Sequence, residues 1–246
     1  YRTFIMVFVA VLLGCTEESA PGLMTPVGTA ETHITWSGYR WIVKQPPYRT
    51  GPGDNYFSNE LVHIDADDRL HLRIARVNGV WCCSEVILDT SLGYGSYIFR
   101  TESRIDMLPP WVTFGLFTYS HRPEWHHREI DVEYGLWLNA DDSCNAQFCV
   151  QSYEDPRRLH RYHLDLCASP HATHLFEWRA DRVFFACVRG HTIHPFDEGL
   201  VASWTFAGED IPVPLDERCR ANLWLYGNPR TEDEVEVILS GFEFVE

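Results

Sequence analysis

The chain has 246 residues, a length that suits a single all-β domain. Its residues are 45% hydrophobic and 22% charged, so it has the composition of an ordinary globular protein that buries a core. The formal net charge is −15, which repels phosphate backbones and anionic lipid head groups and therefore argues against nucleic acid as a partner. A neutral polymer would feel no such repulsion. Aromatic residues reach 14%, which fits either a core of large side chains or a groove lined by flat rings.

The N-terminus carries a targeting pattern. Residues 4–13 (FIMVFVAVLL) form an unbroken apolar run, about half of the roughly 20 residues that span a bilayer, and match the core of a signal peptide. The run ends in Leu-Leu-Gly-Cys15, which resembles the lipobox of bacterial lipoproteins, where the cysteine is lipidated. We therefore expect an exported protein, secreted or anchored by lipid to the bacterial cell envelope, with three parts: an N-terminally truncated lipoprotein signal peptide over 1–15, a tether over 16–31 and a folded domain over 32–246. A plain secretory signal is the alternative.

After the tether, frequent turn residues interrupt the chain and helical periodicity is scarce. Strands are predicted where apolar and polar residues alternate, or where a short apolar run is rich in β-forming residues. In chain order these strands are 61–64, 70–75, 97–100, 103–107, 111–119, 175–179, 182–188, 222–226 and 235–244. The run 111–119 (WVTFGLFTY) is too apolar to be half-exposed, which indicates a central strand. Many short strands with frequent turns predict an all-β fold, a two-sheet antiparallel β-sandwich of the jelly-roll type.

Seven cysteines remain after Cys15, namely Cys82, Cys83, Cys144, Cys149, Cys167, Cys187 and Cys219. Their spacing lacks the paired Cys-x-x-Cys pattern of a zinc site. Export would permit disulfides, but an odd number leaves at least one thiol unpaired. Cys144 and Cys149 are close enough in sequence to close a loop, and the pairing as a whole stays open.

Three acidic residues alternate with apolar ones in Glu129-Ile130-Asp131-Val132-Glu133. On a strand, Glu129, Asp131 and Glu133 would share one face while the apolar pair enters the core. Repulsion between the three would raise the pKa of at least one, so that it keeps its proton near neutral pH, and a protonated acid beside an ionised one is what glycoside cleavage requires. The outer two Cα atoms would lie roughly 13 Å apart, so side chains leaning together could reach either the retaining separation of about 5–5.5 Å or the inverting one of roughly 6.5–9.5 Å. A solvated acidic face is the simpler alternative.

The same five residues resemble the signature of glycoside hydrolase family 16, in the form without an inserted residue that lichenases and xyloglucan transglycosylases carry. Further segments resemble the family in the expected order: 61–74, 93–97, 115–119, 174–178, 183–185 and Asn222-Leu223-Trp224. The chain departs from the pattern at His127, where lichenases usually carry Trp, and in a longer stretch before Val150-Gln151. These departures affect the choice of polysaccharide more than the reaction.

The resemblance implies a concanavalin A-like jelly roll with a cleft across one sheet. It also implies that Glu129 is the nucleophile, that Glu133 is the general acid and then the base, and that Asp131 tunes and orients the pair. The reaction would be hydrolysis of a β-glucan-type polysaccharide within the chain, with retention at the anomeric carbon.

Four residues are candidates for binding the substrate: Tyr119, His127, Gln151 and Trp224. Tyr119 and Trp224 are candidates for stacking on sugars, although strand aromatics equally often pack inward. Gln151 would bond to sugar hydroxyls, and His127 would assist sugar binding or adjust the pKa of a catalytic acid.

No metal or cofactor is expected for catalysis. His126 and His127 are neighbours and would face opposite ways on a strand, so both could not bind one ion together with the acids. A structural Ca²⁺ ion, with oxygens from the acidic turn 65–68, is left open by analogy. We expect a monomer.

Two other functions are compatible with the sequence. A lectin-like surface lipoprotein would use the same sandwich without turnover, although a pure binder gains nothing from three mutually repelling acids. A transglycosylase would use the same acids to transfer sugar to another sugar on cell-wall polysaccharide.

Overall fold

Antiparallel strands form most of the regular structure, as the alternation of apolar and polar residues predicts. The computed structural model describes residues 31–192, 199–208, 210–227 and 233–246. The strands in these ranges are β1 (Thr32–Trp36), β2 (Tyr39–Val43), β3 (Tyr56–Phe57), β4 (Val62–Ile64), β5 (Leu70–Val77), β6 (Val80–Leu88), β7 (Gly95–Glu102), β8 (Val112–Tyr119), β9 (Ile130–Tyr134), β10 (Ala146–Val150), β11 (Leu159–Tyr162), β12 (His171–Trp178), β13 (Arg182–Arg189), β14 (Leu200–Ala207), β15 (Arg218–Leu225) and β16 (Val235–Val245). Short 3₁₀ helices cover Asn59–Leu61, Ile105–Met107 and Pro156–Arg158, and His126–Arg128 forms a left-handed turn.

The strands form two sheets. The front sheet has the order β11-β10-β9-β8-β15-β6-β2-β1, and the back sheet has the order β4-β5-β16-β7-β12-β13-β14, with β5 pairing with both β4 and β16. The β5–β6 hairpin joins them through the two-residue turn Asn78-Gly79, whose φ angles of 51° and 81° suit an Asn-Gly type I′ turn. This architecture is the antiparallel β-sandwich that the sequence predicts.

Inward-facing residues of both sheets form one core. Phe148 of the front sheet stacks on Phe185 of the back sheet at 5.1 Å between ring centroids, and Trp41 meets Phe242 edge-on at the same distance. On β9, Ile130 and Val132 are buried in this core. Because neighbouring side chains on a strand point to opposite faces, their burial turns the alternate residues of β9 outward.

A buried polar chain links the sheets. The Tyr134 hydroxyl lies 2.6 Å from Nδ1 of His174, and Nε2 of His174 lies 3.0 Å from the Thr101 hydroxyl. Burial lowers the pKa of His174 to about 3, so the imidazole stays neutral and both ring nitrogens have a partner. The network therefore holds β9 against the back sheet without placing a charge in the core.

One predicted strand is wrong. Residues 103–107 leave the sheet after Glu102, and Ile105–Met107 is a 3₁₀ turn. The Asp106 carboxylate accepts hydrogen bonds from the Arg104 guanidinium at 2.8 Å and from the Leu166 backbone N–H at 3.0 Å, which favours a local turn over extended pairing. By contrast, the central strand predicted over 111–119 is confirmed, because β8 pairs with both β9 and β15 and is buried up to Thr118.

The predicted signal peptide, Cys15 and the tether as far as residue 30 lie outside the described residues. Within the described part, no helix is long and apolar enough to cross a membrane.

Candidate active site

An open cavity of about 500 Å³ lies on the outer face of the front sheet and contains all three predicted acids. Its floor consists of alternate residues of neighbouring strands, which share one face of the sheet. The lining residues are Lys44, Pro46, Tyr48, Thr50, Gly51, Pro52, Glu85, Ile87, Gly115, Phe117, Tyr119, His121, Glu129, Asp131, Glu133, Arg220, Asn222 and Trp224. A larger groove of about 680 Å³, beside Trp125 and Asp155, contains none of the three acids, so the chemistry belongs to the first cavity.

Gln147 on strand β10 and Gln151 just after it each supply an amide donor to one of the acids. The Gln147 Nε2 atom donates to Glu133 at 2.7 Å, and Gln151 Nε2 donates to Asp131 at 2.8 Å. Asp131 is buried, whereas Glu129 and Glu133 are half-buried at the cavity surface. The middle acid is therefore fixed in the floor, and the outer two face the space in which a ligand would lie.

Burial raises the pKa of all three carboxyl groups. The pKa of Glu129 rises from 4.5 to about 8, first because of burial and next because of the charge on Glu133. The pKa of Asp131 also lies well above its usual range because of burial and its two acidic neighbours, and that of Glu133 is raised by burial against the opposing Gln147 hydrogen bond. The cluster consequently retains at least one proton near neutral pH, which is the condition for general acid catalysis.

The segment leading into β9 has an unusual backbone. Four consecutive residues, Trp125 to Arg128, have φ angles of 57°, 48°, 64° and 53°, and this left-handed region costs roughly 1–2 kcal/mol for each non-glycine residue. Surrounding contacts hold the turn: the Ser120 backbone N–H donates to the His127 carbonyl at 2.7 Å, and the buried Arg128 Nε donates to the Val213 carbonyl at 2.8 Å. Strain of this kind concentrates at functional sites, and here it sets the position at which Glu129 enters the sheet.

The four predicted substrate-binding residues fall into two pairs. Tyr119 and Trp224 line the cavity, and Trp224 is 8% exposed. His127 and Gln151 are not among the lining residues: His127 stacks on Tyr119 at 5.0 Å between ring centroids with nearly parallel rings, and the Gln151 amide donates to Asp131. Since the Tyr119 ring also contacts the Arg220 guanidinium at 4.8 Å, much of its flat surface is occupied by protein groups. Its hydroxyl is therefore better placed than its face to contact a ligand.

The cavity floor also contains a charged group that the sequence did not predict. Glu85 is completely buried, and its carboxylate accepts from Lys44 Nζ at 2.8 Å and from Arg220 Nη1 at 2.9 Å. A single acid inside the mainly apolar strand 80–88 was the available signal, because a buried charge needs a partner. The partners themselves could not be read from the sequence, since Arg220 is 135 residues away and meets Glu85 through the pairing of β15 with β6.

Among the described residues, no group of three or more His, Cys, Asp or Glu side chains is arranged to hold a metal ion. In the acidic turn 65–68, the Asp65 carboxylate accepts from Arg69 Nε at 2.8 Å and contacts His71 Nε2 at 3.2 Å. The Arg69 hydrogen bonds hold the pKa of Asp65 well below its usual range. A Ca²⁺ ion at this turn would have to compete with a guanidinium for the same oxygens, so the turn is a poor fit to calcium.

All seven described cysteines are free thiols. The pairing of Cys144 with Cys149 that the sequence left open is therefore absent from this structure. Cys149 is buried beside the acids, directly across from Asp131 in the β9–β10 pairing, and this burial raises the pKa of its thiol.

Comparison with known proteins places the fold. No family model matches the sequence, and no curated protein matches it. Solved structures do match: a β-glucanase from Bacillus licheniformis has a TM-score of 0.62 and 15% identity, covering 89% of this chain and 99% of that one. A β-1,3-glucanase from Mycobacterium marinum has a TM-score of 0.60 and 17% identity, covering 93% and 100%. A glycoside hydrolase family 16 endo-glucanase from Bacteroides ovatus, in complex with a ligand designated G4G3G-2F-DNP, has a TM-score of 0.55 and 11% identity, covering 83% and 94%.

These similarities define the class of fold, the jelly roll that family 16 β-glucanases share, and they confirm the predicted architecture. At identities of this size the likeness extends to the fold alone. Function therefore has to be argued from the site.

Proposed function

We propose that the protein is a glycoside hydrolase of the family 16 type, a retaining endo-β-glycosidase that cleaves β-glucan-type polysaccharides. The observation that carries this proposal is the arrangement of three carboxyl groups in one open cavity, where burial and mutual repulsion keep at least one of them protonated. Retaining cleavage needs this pair of states, an ionised carboxylate and a protonated one. The shared fold with solved β-glucanases supports the assignment and suggests the substrate class.

The reactive form is the one in which Glu129 is ionised and Glu133 carries the proton; with a pKa of about 8 for Glu129, this form grows as the pH approaches 8. Glu129 then attacks the anomeric carbon and forms a glycosyl–enzyme bond, while Glu133 gives its proton to the departing sugar oxygen. Water then attacks the intermediate and Glu133 takes its proton, which restores both groups. Asp131 lies between them, fixed by Gln151, and its position discourages a second negative charge on the strand. Trp224 and the hydroxyl of Tyr119 would contact the sugar rings held over the acids.

The first test compares the wild-type protein with Glu129→Gln and Glu133→Gln on a panel of β-glucans, with reducing-end release as the readout. Each substitution should lower the rate at least ~10³-fold, because it removes covalent catalysis or proton transfer while leaving the volume of the side chain almost unchanged. Glu154→Gln, in an exposed loop outside the cavity, is the matched control and should retain activity. NMR of the first product anomer distinguishes retention from inversion.

Three results would redirect the proposal. Polysaccharide binding without turnover by the wild-type protein would indicate a lectin-like role. Preferential transfer to a labelled oligosaccharide acceptor would indicate a transglycosylase. Full activity in both glutamine variants would refute the assignment of the acids.

We also propose that the enzyme is exported and attached to the cell envelope through lipidated Cys15, acting as a monomer on extracellular polysaccharide. The Leu-Leu-Gly-Cys pattern after an apolar run supports the anchor. Expression of the chain behind a complete signal sequence, with and without Cys15→Ser, tests it. The wild type should incorporate labelled fatty acid and fractionate with membranes, and the variant should do neither.

A further inference from the structure

A buried arginine lies behind the residue whose amide binds Asp131. Arg158, in the 3₁₀ turn that follows β10, is 7% exposed. Its Nη1 atom donates to the Gln151 carbonyl at 2.9 Å and to the Val150 carbonyl at 3.3 Å. The preceding residue, Arg157, is exposed and binds a carboxylate of its own turn instead. Of two adjacent arginines, one therefore faces solvent and the other binds the backbone at the end of β10.

Gln151 has a partner at each of its four polar groups. Its backbone N–H donates to the Glu129 carbonyl at 3.1 Å, and its side-chain Nε2 atom donates to Asp131 at 2.8 Å. The side-chain oxygen accepts from the Tyr153 backbone N–H at 2.9 Å, which orients the amide so that its nitrogen faces Asp131. Arg158 binds the fourth group, the backbone carbonyl. Gln151 therefore connects Arg158 to the middle acid.

The Gln151 carbonyl needs a donor from outside the strand ladder. The pairing of β10 with β11 ends with Cys149 opposite Leu159, so Val150 and Gln151 lie beyond it. A buried backbone carbonyl without a partner is costly, and the planar fork of a guanidinium can serve two such groups at once. Arg158, the residue just before Leu159, supplies this fork where the ladder has ended.

The other side of the guanidinium is anchored near the back sheet. The Nη2 atom of Arg158 lies 3.2 Å from the Asp210 carboxylate, and the guanidinium carbon lies 4.9 Å from the centre of the Phe206 ring on β14. Asp155 caps the turn that carries Arg158 by accepting from the Arg157 backbone N–H at 3.0 Å. Arg158 thus connects the edge strand of the back sheet with the end of β10.

We propose that Arg158 is a positioning residue for the reaction, which holds the Gln151 amide on Asp131 and so fixes this acid between Glu129 and Glu133. The inference rests on the proposed function and adds to it a residue outside the cavity. Neither Arg158 nor Gln151 lines the cavity, so their effect passes through Asp131. A misplacement of about 1 Å at a reacting centre can lower a rate about 100-fold, so a loosened amide should reduce catalysis.

The first test measures steady-state kinetics on mixed-linkage β-glucan and on laminarin for the wild type, Arg158→Met, Gln151→Met and the double variant. Arg158→Met should lower kcat roughly 10–100-fold and change KM by less than about twofold, because the acids lose their alignment while the cavity lining stays intact. In the Gln151→Met background the same change should lower kcat by less than about twofold, because the amide through which Arg158 acts is already absent. Arg157→Met removes the adjacent, exposed guanidinium and should leave kcat and KM unchanged.

The side-chain amide of Gln151 gives a second readout that does not depend on turnover. In ¹⁵N-labelled protein its NH₂ signals are assigned as those missing in Gln151→Met. The proton donated to Asp131 should exchange slowly with solvent in the wild type and at least ~10-fold faster in Arg158→Met, because the amide is then free to leave the carboxylate. Arg157→Met should leave the exchange rate unchanged. If Arg158 only stabilised the fold, its removal would lower the urea midpoint without changing this signal.

Three results would overturn the inference. They are an unchanged kcat in Arg158→Met, an unchanged Gln151 amide signal in that variant, and a full additive loss of kcat in the double variant. Should Arg158→Met fail to fold, Arg158→Lys is measured in its place; an ammonium keeps the charge beside Asp210 but lacks the fork for both carbonyls, so it should show the same two changes at smaller size. An inactive wild-type protein would refute the proposed function, whereas the NMR comparison would still decide whether Arg158 holds the amide.

Discussion

Replacing the Glu129 carboxyl by an amide should make the protein more stable near neutral pH. The carboxyl has an ordinary pKa of 4.5 and a pKa of about 8 in the folded protein. The unfolded chain therefore loses this proton at a lower pH than the folded chain does, and ionisation favours unfolding throughout the interval between the two values. One pKa unit is equivalent to 1.36 kcal/mol, so the difference accumulated between pH 4.5 and pH 7 is about 3 kcal/mol. Glu129→Gln removes this penalty.

The direction of the pKa shift determines the pH range in which the two proteins should differ in stability. Below pH 4.5 the carboxyl is protonated in both states, so wild type and Glu129→Gln should unfold at similar temperatures. As the pH rises toward 8, the wild type should lose stability relative to the variant. At pH 7 the variant should melt higher by roughly 6–12 °C, taking about 2–4 °C per kcal/mol for a protein of this size. Differential scanning calorimetry from pH 4 to pH 8 measures the gap.

The control is Glu154→Gln, which changes the same functional group in an exposed loop and should shift the melting temperature by at most ~1 °C at any pH. If the melting temperatures of Glu129→Gln and the wild type differed by the same amount from pH 4 to pH 8, the difference would come from side-chain packing and not from ionisation. Equal melting temperatures at pH 7 would show that the folded protein does not raise the pKa of Glu129, and the electrostatic basis of the site would then fail.

Two further substitutions separate the cavity from the core. A Cβ atom on Gly115 would lie 2.7 Å from Oδ1 of Asn222, so Gly115→Ala should displace that amide and lower kcat/KM about tenfold with little loss of stability. In an Asn222→Ala background the same change should lower kcat/KM hardly further. A full additive loss there would show that Gly115→Ala does not act by displacing Asn222. Tyr134→Phe should leave His174 Nδ1 without its 2.6 Å partner in the core and lower the free energy of unfolding in urea by about 1–3 kcal/mol. At urea concentrations well below the midpoint, activity should stay near that of the wild type, because the hydroxyl lies on the other face of β9 from the acids. An unchanged unfolding midpoint would show that water or Tyr162 replaces the lost hydrogen bond.

Local patterns in the sequence were sufficient for the acidic strand. Ile130 and Val132 are apolar and must be buried, so the alternation of a strand places the three acids on the opposite face, and the structure brings them into one cavity. The strong apolar run at β8 was equally readable. The prediction for 103–107 was wrong because alternation alone does not reveal that Asp106 binds backbone and side-chain donors nearby.

What the sequence could not show depends on pairing between distant strands. Glu85 looked like an isolated acid in an apolar strand, and Arg220 like one basic residue of a later strand. They meet because β6 and β15 are neighbours, with Asn222 directly across from Glu85. The contact of Tyr119 with His127 was also not predicted, because it depends on a left-handed turn of four residues, and none of the four is a glycine that would mark such a turn in the sequence.

The acids lie on a strand for an energetic reason as well as a geometric one. Folded domains retain only about 5–15 kcal/mol of stability, so a carboxyl whose raised pKa costs about 3 kcal/mol at pH 7 must be held by a structure that does not relax. A surface loop could relax and let the acids separate into solvent, which would return each pKa to its ordinary value. On β9 relaxation is prevented: Ile130 and Val132 are locked in the core, β8 and β10 pair on both sides, and Tyr134 is bonded to the back sheet. The same packing that stabilises the sandwich therefore maintains the raised pKa values on which the proposed chemistry depends.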